Sequence, residues 1–309
     1  MWLFAFSSTA RLLDYASRMT TVYEFPPDLF ERARPILGHP PADLAYIDAG
    51  LRGVNPARVF VDDPDRPTAA LMTRTYEYFV GGLLDTPIAE FIRDAPLEVM
   101  VWVNFYGFVA VDPPWNDHLR ALHPGLETIG RRTFRFDPER IDMVRGWADL
   151  VPEGISIVPL TAELAKMADR EMPEIIGMFW GGYEAFSEHG FGALALDGEK
   201  PVSTTYAVAV GGGEANVGVM TVPDYRRRGL AKLCSQACIE MAYERDLVAT
   251  WDCDEPNEAS ARLALDIGFT EQVPFVELAF PNRAKPTQTA GLWIADPTDN
   301  GIVAWVRQI

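Results

Sequence analysis

The chain has 309 residues, 48% of them apolar, and a formal net charge of −17. The apolar content excludes global disorder, and the length allows two domains of ordinary size. The charge argues against a nucleic-acid backbone as main partner, and the three cysteines lack the paired spacing of a disulfide scaffold.

The first residues, Met1-Trp2-Leu3-Phe4-Ala5-Phe6, are apolar but short and without a basic leader, so they do not read as a signal peptide. Residues 1–19 read as an extension outside the fold, with Met19 as a candidate translation start. No apolar run approaches the ~20 residues that span a bilayer. No membrane partner is expected, and a cytoplasmic protein is.

Residues 20–150 read as a first lobe. Asp28–Leu37 and Pro41–Gly50 have helical character. Ala57–Asp62, Thr68–Tyr76, Val99–Val103 and Arg131–Phe136 read as strands, and Pro113–Leu122 as a short helix. Pro138–Pro159 reads as a connector with a helix near Arg140–Asp149. The second lobe spans 151–280, with its first helices and leading strand in 160–196.

Pro201–Val210 and Glu214–Val222 are apolar, β-rich runs joined by Gly211-Gly212-Gly213, the pattern of a hairpin. Directly after the second run comes Pro223-Asp224-Tyr225-Arg226-Arg227-Arg228-Gly229-Leu230-Ala231, and then apolar residues at helical spacing through Arg245. A basic, glycine-containing bend that opens a helix is suited to an anion. The first amides of a helix lack intrahelical partners, and the dipole adds positive character there. Gly229 permits a positive φ and close approach of a ligand. The bend therefore reads as a phosphate or pyrophosphate site. It is neither a G-x-G-x-x-G nor a G-x-x-x-x-G-K-[ST] loop.

Leu247–Cys253 reads as a short buried strand, Glu258–Ile267 as a helix capped by Asn257 and ended by Gly268, and Val273–Phe280 as a further strand. Residues 281–309 read as a C-terminal tail, a linker followed by one strand at Gly301–Arg307. Cys234 and Cys238 lie one helical turn apart and read as small core residues. The histidines and cysteines have no metal-ligand spacing, so no metal is expected.

The run Arg226-x-x-Gly229-x-Ala231, its β-β-α-β-α-β setting, and the Asn257-led helix closing in Gly268-Phe269 resemble the GNAT superfamily of N-acetyltransferases. Phe179-Trp180, Tyr183, Phe186, Gly190-Phe191-Gly192, Ser203 and Trp251-Asp252-Cys253 are similar to a bacterial GNAT acetyltransferase-like branch. The clear likeness covers about residues 150–280. It implies an α/β (α+β) fold, a mixed and mostly antiparallel sheet flanked by helices. Arg58–Pro67 is similar to Ala193–Pro201, each an apolar strand, an acidic turn, a charged residue and Pro. The first lobe is thus expected to be a degenerate GNAT-like unit with no acyl-CoA site of its own.

The resemblance implies acetyl-CoA as co-substrate and direct acyl transfer to a primary amine of a small molecule. Val219, Met220, Thr221 and Val222 would hold the pantetheine amides. Arg226, Arg227, Arg228, Gly229, Leu230 and Ala231 would hold the pyrophosphate, and Asn257 the pantetheine arm. Many relatives protonate the leaving thiolate with a tyrosine where this chain has Ala264. Ser260, Cys253 or water remain to replace it. Cys253 is either a covalent nucleophile or a buried structural thiol. Glu214, Asp252 and Asp254 are candidate bases. The missing tyrosine leaves a second reading open, a non-catalytic acyl-CoA binding or sensing protein. A third is a two-lobe structural protein. The expected assembly is a monomer or homodimer.

Overall fold

The computed structural model describes residues 22–38, 44–74, 77–94, 107–172 and 176–279. The expected strands at Val99–Val103 and Gly301–Arg307, the extension 1–19 and the tail 281–309 lie outside them.

In the first half, β1 (Tyr23–Phe25) is followed by a 3-10 turn (Pro27–Ala33), α1 (Arg34–Leu37) and α2 (Leu44–Leu51). Then come β2 (Arg58–Val61), β3 (Ala69–Arg74), β4 (Glu77–Gly82), α3 (Pro87–Asp94), β5 (Gly107–Ala110), α4 (Pro114–Leu122) and β6 (Glu127–Phe136). The second half holds β7 (Ile155–Pro159), α5 (Ala162–Glu171), α6 (Ile176–Trp180), α7 (Tyr183–His189), β8 (Gly192–Asp197), β9 (Lys200–Gly211) and β10 (Glu214–Thr221). It continues through α8 (Leu230–Tyr243), β11 (Val248–Asp254), α9 (Glu258–Ile267), β12 (Phe269–Glu271) and β13 (Phe275–Ala279).

These strands join in a single mixed sheet, in the order β1-β2-β3-β4-β5-β13-β6-β11-β10-β9-β8-β7, with β12 pairing β6. Helices cover both of its faces, consistent with the expected fold class. Each half runs through a hairpin, a helix, a strand parallel to the second hairpin strand, a second helix and a closing strand. The parallel pairs are β4–β5 and β10–β11. The closing strands change places. β6, from the first half, pairs with β11 of the second, and β13, from the second half, pairs with β5 of the first. The halves therefore share backbone hydrogen bonds as well as side-chain packing.

The β9–β10 hairpin turns at Gly212 and Gly213 (φ 59° and 78°), values that side chains rarely tolerate. α9 begins at Asn257, whose side chain accepts from the Ser260 amide, and ends at Gly268 with φ 116°. The main core of the second half packs Trp180, Phe186, Phe191, Tyr206 and Trp251. Trp180 is 1% exposed and donates its ring N–H to the Ala207 carbonyl at 2.9 Å. It is a core residue, like its neighbours Phe179 and Phe186.

Several segments differ from expectation. The strand at 68–76 ends at Arg74, and a separate strand, β4, starts at Glu77. The helix near Arg140–Asp149 is replaced by two 3-10 stretches, Pro138–Met143 and Trp147–Leu150, separated by Gly146 at φ 79°. Left-handed backbone there stops an α-helix from continuing. The connector also contributes a sheet strand, β7, which pairs β8 at one edge of the sheet.

Candidate active site

β10 and β11 pair in parallel for three residues, Glu214↔Val248, Ala215↔Ala249 and Asn216↔Thr250. Beyond Asn216 the ladder stops. A register shift between Asn216 and Val217, read against β9, bends β10 at this point. The strands diverge into a cleft of about 230 Å³. Val217–Val219 form one wall and Trp251–Asp254 the other, with Arg131 of β6 and Asn257 and Ser260 of α9 completing it.

The bend in β10 leaves its edge without a strand partner. The Val222 amide donates to Val202 on β9 at 3.1 Å. Strand alternation then turns the backbone groups of Val219 and Thr221 toward the open side. The Thr221 carbonyl accepts from Arg226 Nε at 3.1 Å.

At the end of β10 the chain passes through a short 3-10 turn, Pro223–Tyr225, into α8. Arg227 has φ 62° and Gly229, the N-cap of α8, φ 81°. Two left-handed residues so close together turn the chain sharply just ahead of α8. A Cβ added at Gly229 would meet no protein atom within 4 Å, so the space above it is open. No side chain caps α8, which leaves its first amides available. Arg228 donates to the Asp224 carbonyl at 2.9 Å and lies 4.7 Å above the Tyr225 ring. The Tyr225 hydroxyl is fixed by Asp197 at 2.5 Å. The sequence-derived loop residues thus follow directly on β10, whose Val217–Val219 line the cleft, but are not themselves among its lining residues.

The far side of the cleft is polar. Register alone puts Asn216, Asp252, Asp254, Arg131 and Glu277 on one face of the sheet. Arg131 pairs with both Asp252 and Asp254. Asp252 Oδ2 also accepts from Asn216 Nδ2 at 2.9 Å and lies 3.3 Å from the Tyr46 hydroxyl. Tyr46 reaches in from α2, in the first half of the chain. Burial lowers the Arg131 pKa, but the carboxylates of Glu277 and Asp254 outweigh it and hold the value above the usual range. Burial pushes the Glu277 carboxyl up to about 7, against the opposing pull of Arg131.

Of the candidate catalytic residues, Asp252, Cys253 and Ser260 meet at the cleft. Ser260 accepts from the Trp251 ring N–H at 2.9 Å and also hydrogen-bonds the Cys253 side chain. Burial raises the Cys253 pKa, so the group is a neutral thiol. Glu214 is not brought to the cleft. It sits at the start of β10, before the strands part, and its carboxylate pairs with Arg135. Ala264 is fully buried in the core.

Arg131, Tyr46, Asn216 and Glu277 are absent from the sequence-derived set. Three of them come from elements far from the loop motif in sequence or sheet order. Among the described residues no group of three or more His, Cys, Asp or Glu is placed to hold a metal ion. No helix of the described residues is long and apolar enough to cross a membrane.

Compared with known proteins, residues 43–277 match the family described as GNAT acetyltransferase. The chain is 24% identical over 217 residues to an uncharacterized N-acetyltransferase, YdfB, of Bacillus subtilis (strain 168), covering 69% of this chain and 82% of that one. Among solved structures, a GCN5-related N-acetyltransferase-like protein from Streptococcus suis superposes with a TM-score of 0.66 at 22% identity. It covers 81% of this chain and 98% of its own. A tandem GNAT protein from the clavulanic acid biosynthesis pathway superposes with a TM-score of 0.54 at 15% identity, over 86% of this chain and 100% of its own.

Proposed function

The chain belongs to the GNAT acetyltransferase family, and from that premise we propose that it moves an acetyl group from acetyl-CoA directly to a primary amine of a small molecule. The observation that carries this reading is the coincidence of two features at one end of β10. The strand parts from β11 after Asn216, and the turn around Gly229 follows directly from the end of that same strand. A long thiol cofactor with a diphosphate at one end needs a narrow slot and an anion site in line.

In this reading the amides from Arg227 to Ala231 bind the diphosphate, with Arg226 and Arg228 adding charge. The open edge at Val219 and Thr221, within the stretch Val219–Val222, pairs with the pantetheine amides. Asn257 lies against the same arm. A backbone N–H at the β10 bend stabilises the oxyanion that forms when the amine attacks the thioester carbonyl. The C–S bond then breaks, and the thiolate takes the second proton from the attacking nitrogen. Ser260 supplies a hydrogen bond to the sulfur where Ala264 offers none. Cys253, a neutral thiol, forms no acyl intermediate.

The matched order of elements in the two halves supports a tandem origin, with the first half a second, degenerate GNAT unit. That half has no counterpart of the slot among the described residues. β4 and β5 stay paired from Glu77↔Gly107 to Val80↔Ala110, and the Val111 amide still donates to Val80 at 2.8 Å. One acyl-CoA is therefore expected per chain.

Calorimetry with acetyl-CoA and thiol release with a panel of primary amines test the proposal. Saturable binding with amine-dependent release supports transfer. Binding without release for any amine supports a sensor instead, and no binding at sub-millimolar ligand rejects both.

A further inference from the structure

We propose that Glu277 of β13 is the acceptor-binding carboxylate of this enzyme: it holds the ammonium of the incoming amine and takes its proton, so that the neutral amine can attack. The inference rests on the transferase reading and assigns that site the base it otherwise lacks.

The other carboxylates of this face are committed. Asp252 has both oxygens engaged, one by Arg131 and the other by Asn216. Asp254 pairs with Arg131, and Glu77 with Arg74 at 3.3 Å. Glu277 differs. Its side chain is 6% exposed, yet Oε1 has no hydrogen-bond partner among the described residues. Its nearest cation is Arg131, with Nε 4.0 Å from Oε2, too long for a hydrogen bond, and Nε is itself unpartnered. A carboxylate kept only to tie down Arg131 would have closed that distance. A buried acceptor without a donor is costly to fold. Its retention beside a cleft-lining residue points to a ligand that brings the donor.

The chemistry of the neighbourhood selects the ligand. The groups facing Glu277 are Arg131 from β6, Asp254 from β11 and Glu77 from β4. Arg74 offsets Glu77, and Arg131 offsets only one of Asp252 and Asp254. With Glu277 ionised the face has a surplus of negative charge, which fits a cationic acceptor. Its carboxyl, pushed up to about 7 by burial, is basic enough to accept a proton near neutrality. The step balances: the ammonium N–H bond breaks, Glu277 gains the proton, and the lone pair forms the new C–N bond.

The test uses butylamine, 1,4-diaminobutane and phenethylamine with acetyl-CoA, and takes the amine that wild type acetylates fastest. Glu277→Gln is expected to bind acetyl-CoA as wild type does, to release thiol ~100-fold more slowly or worse, and to lose the acid limb of the kcat/KM profile. Glu277→Ala is expected to regain part of its rate with added formate, which can occupy the vacated space. A Glu277→Gln enzyme with the wild-type rate and acid limb overturns the assignment, as does loss of acetyl-CoA binding in that variant. Failure of wild type itself to bind acetyl-CoA overturns the transferase reading.

Discussion

Asn216 of β10 and Thr250 of β11 form the last pair of their parallel ladder. Up to that pair the two strands are ordinary neighbours. One residue later β10 shifts register against β9, and its edge faces a cleft instead of a strand. Backbone groups that would normally be satisfied within the sheet are left without a strand partner there, which is why the proposed site is put here.

The turn that continues from this strand can be tested by charge reversal. Arg228 is exposed and bonds only locally, to the Asp224 carbonyl. Arg228→Glu is expected to weaken acetyl-CoA at least ~10-fold by calorimetry, with the thermal midpoint shifted by no more than ~2 °C. Unchanged affinity would contradict the loop assignment.

Asp252 supports the cleft wall as well as facing it. Its side chain is 6% exposed and joins Arg131, Asn216 and Tyr46, groups from three separate elements. Asp252→Ala leaves a buried guanidinium with Asp254 as its remaining close partner. Denaturant unfolding is expected to show a loss of about 3 kcal/mol. A loss below about 1 kcal/mol would mean the network adds little to stability.

Glu277 makes stability depend on pH in a defined direction. Its folded pKa is about 7 against an ordinary 4.5. Between those values the folded chain holds the proton more tightly than the unfolded one, so this group's contribution falls as pH rises through the window. Below about 4.5 it costs nothing, and above about 7 the full cost of up to ~3 kcal/mol is present. Relative to wild type, Glu277→Gln is therefore expected to gain stability between pH 4 and pH 8. A difference that does not change with pH would show that the carboxyl is not perturbed.

Cys253 is expected to be chemically silent. Its thiol pKa is raised by burial, so little thiolate is present at neutral pH. Cys253→Ser is expected to retain at least about half the turnover, and intact-mass measurement of wild type with acetyl-CoA is expected to show no acetylated protein. A stoichiometric acetyl adduct at Cys253 would contradict direct transfer.

Much of the second half was legible in the sequence because its punctuation is local. Gly212-Gly213, Asn257 and Gly268 sit where the backbone needs a positive φ or a cap, and the elements between them fall within a residue or two of expectation. The left-handed turn ahead of α8 was legible for the same reason, since Arg226, Gly229 and Ala231 are close in sequence. The polar cluster proposed as the acceptor side was not. Arg131 and Glu277 meet only because β6 and β13 change places between the halves, and Tyr46 arrives from a helix 170 residues before Asn216. Such partners are set by sheet order, which no local pattern encodes. β7 was missed because it is a half-exposed edge strand without a continuous apolar run, and Glu214 was placed too near the site because the bend after Asn216 leaves no trace in residue type.

A crystal structure with acetyl-CoA tests the central claim most directly. The account predicts the diphosphate on the amides from Arg227 to Ala231, the pantetheine along Val219–Thr221, and the thioester between Val217 and Cys253 with the acetyl group turned toward Asp252. Acetyl-CoA bound elsewhere, with this gap unoccupied or closed by the chain itself, would contradict it.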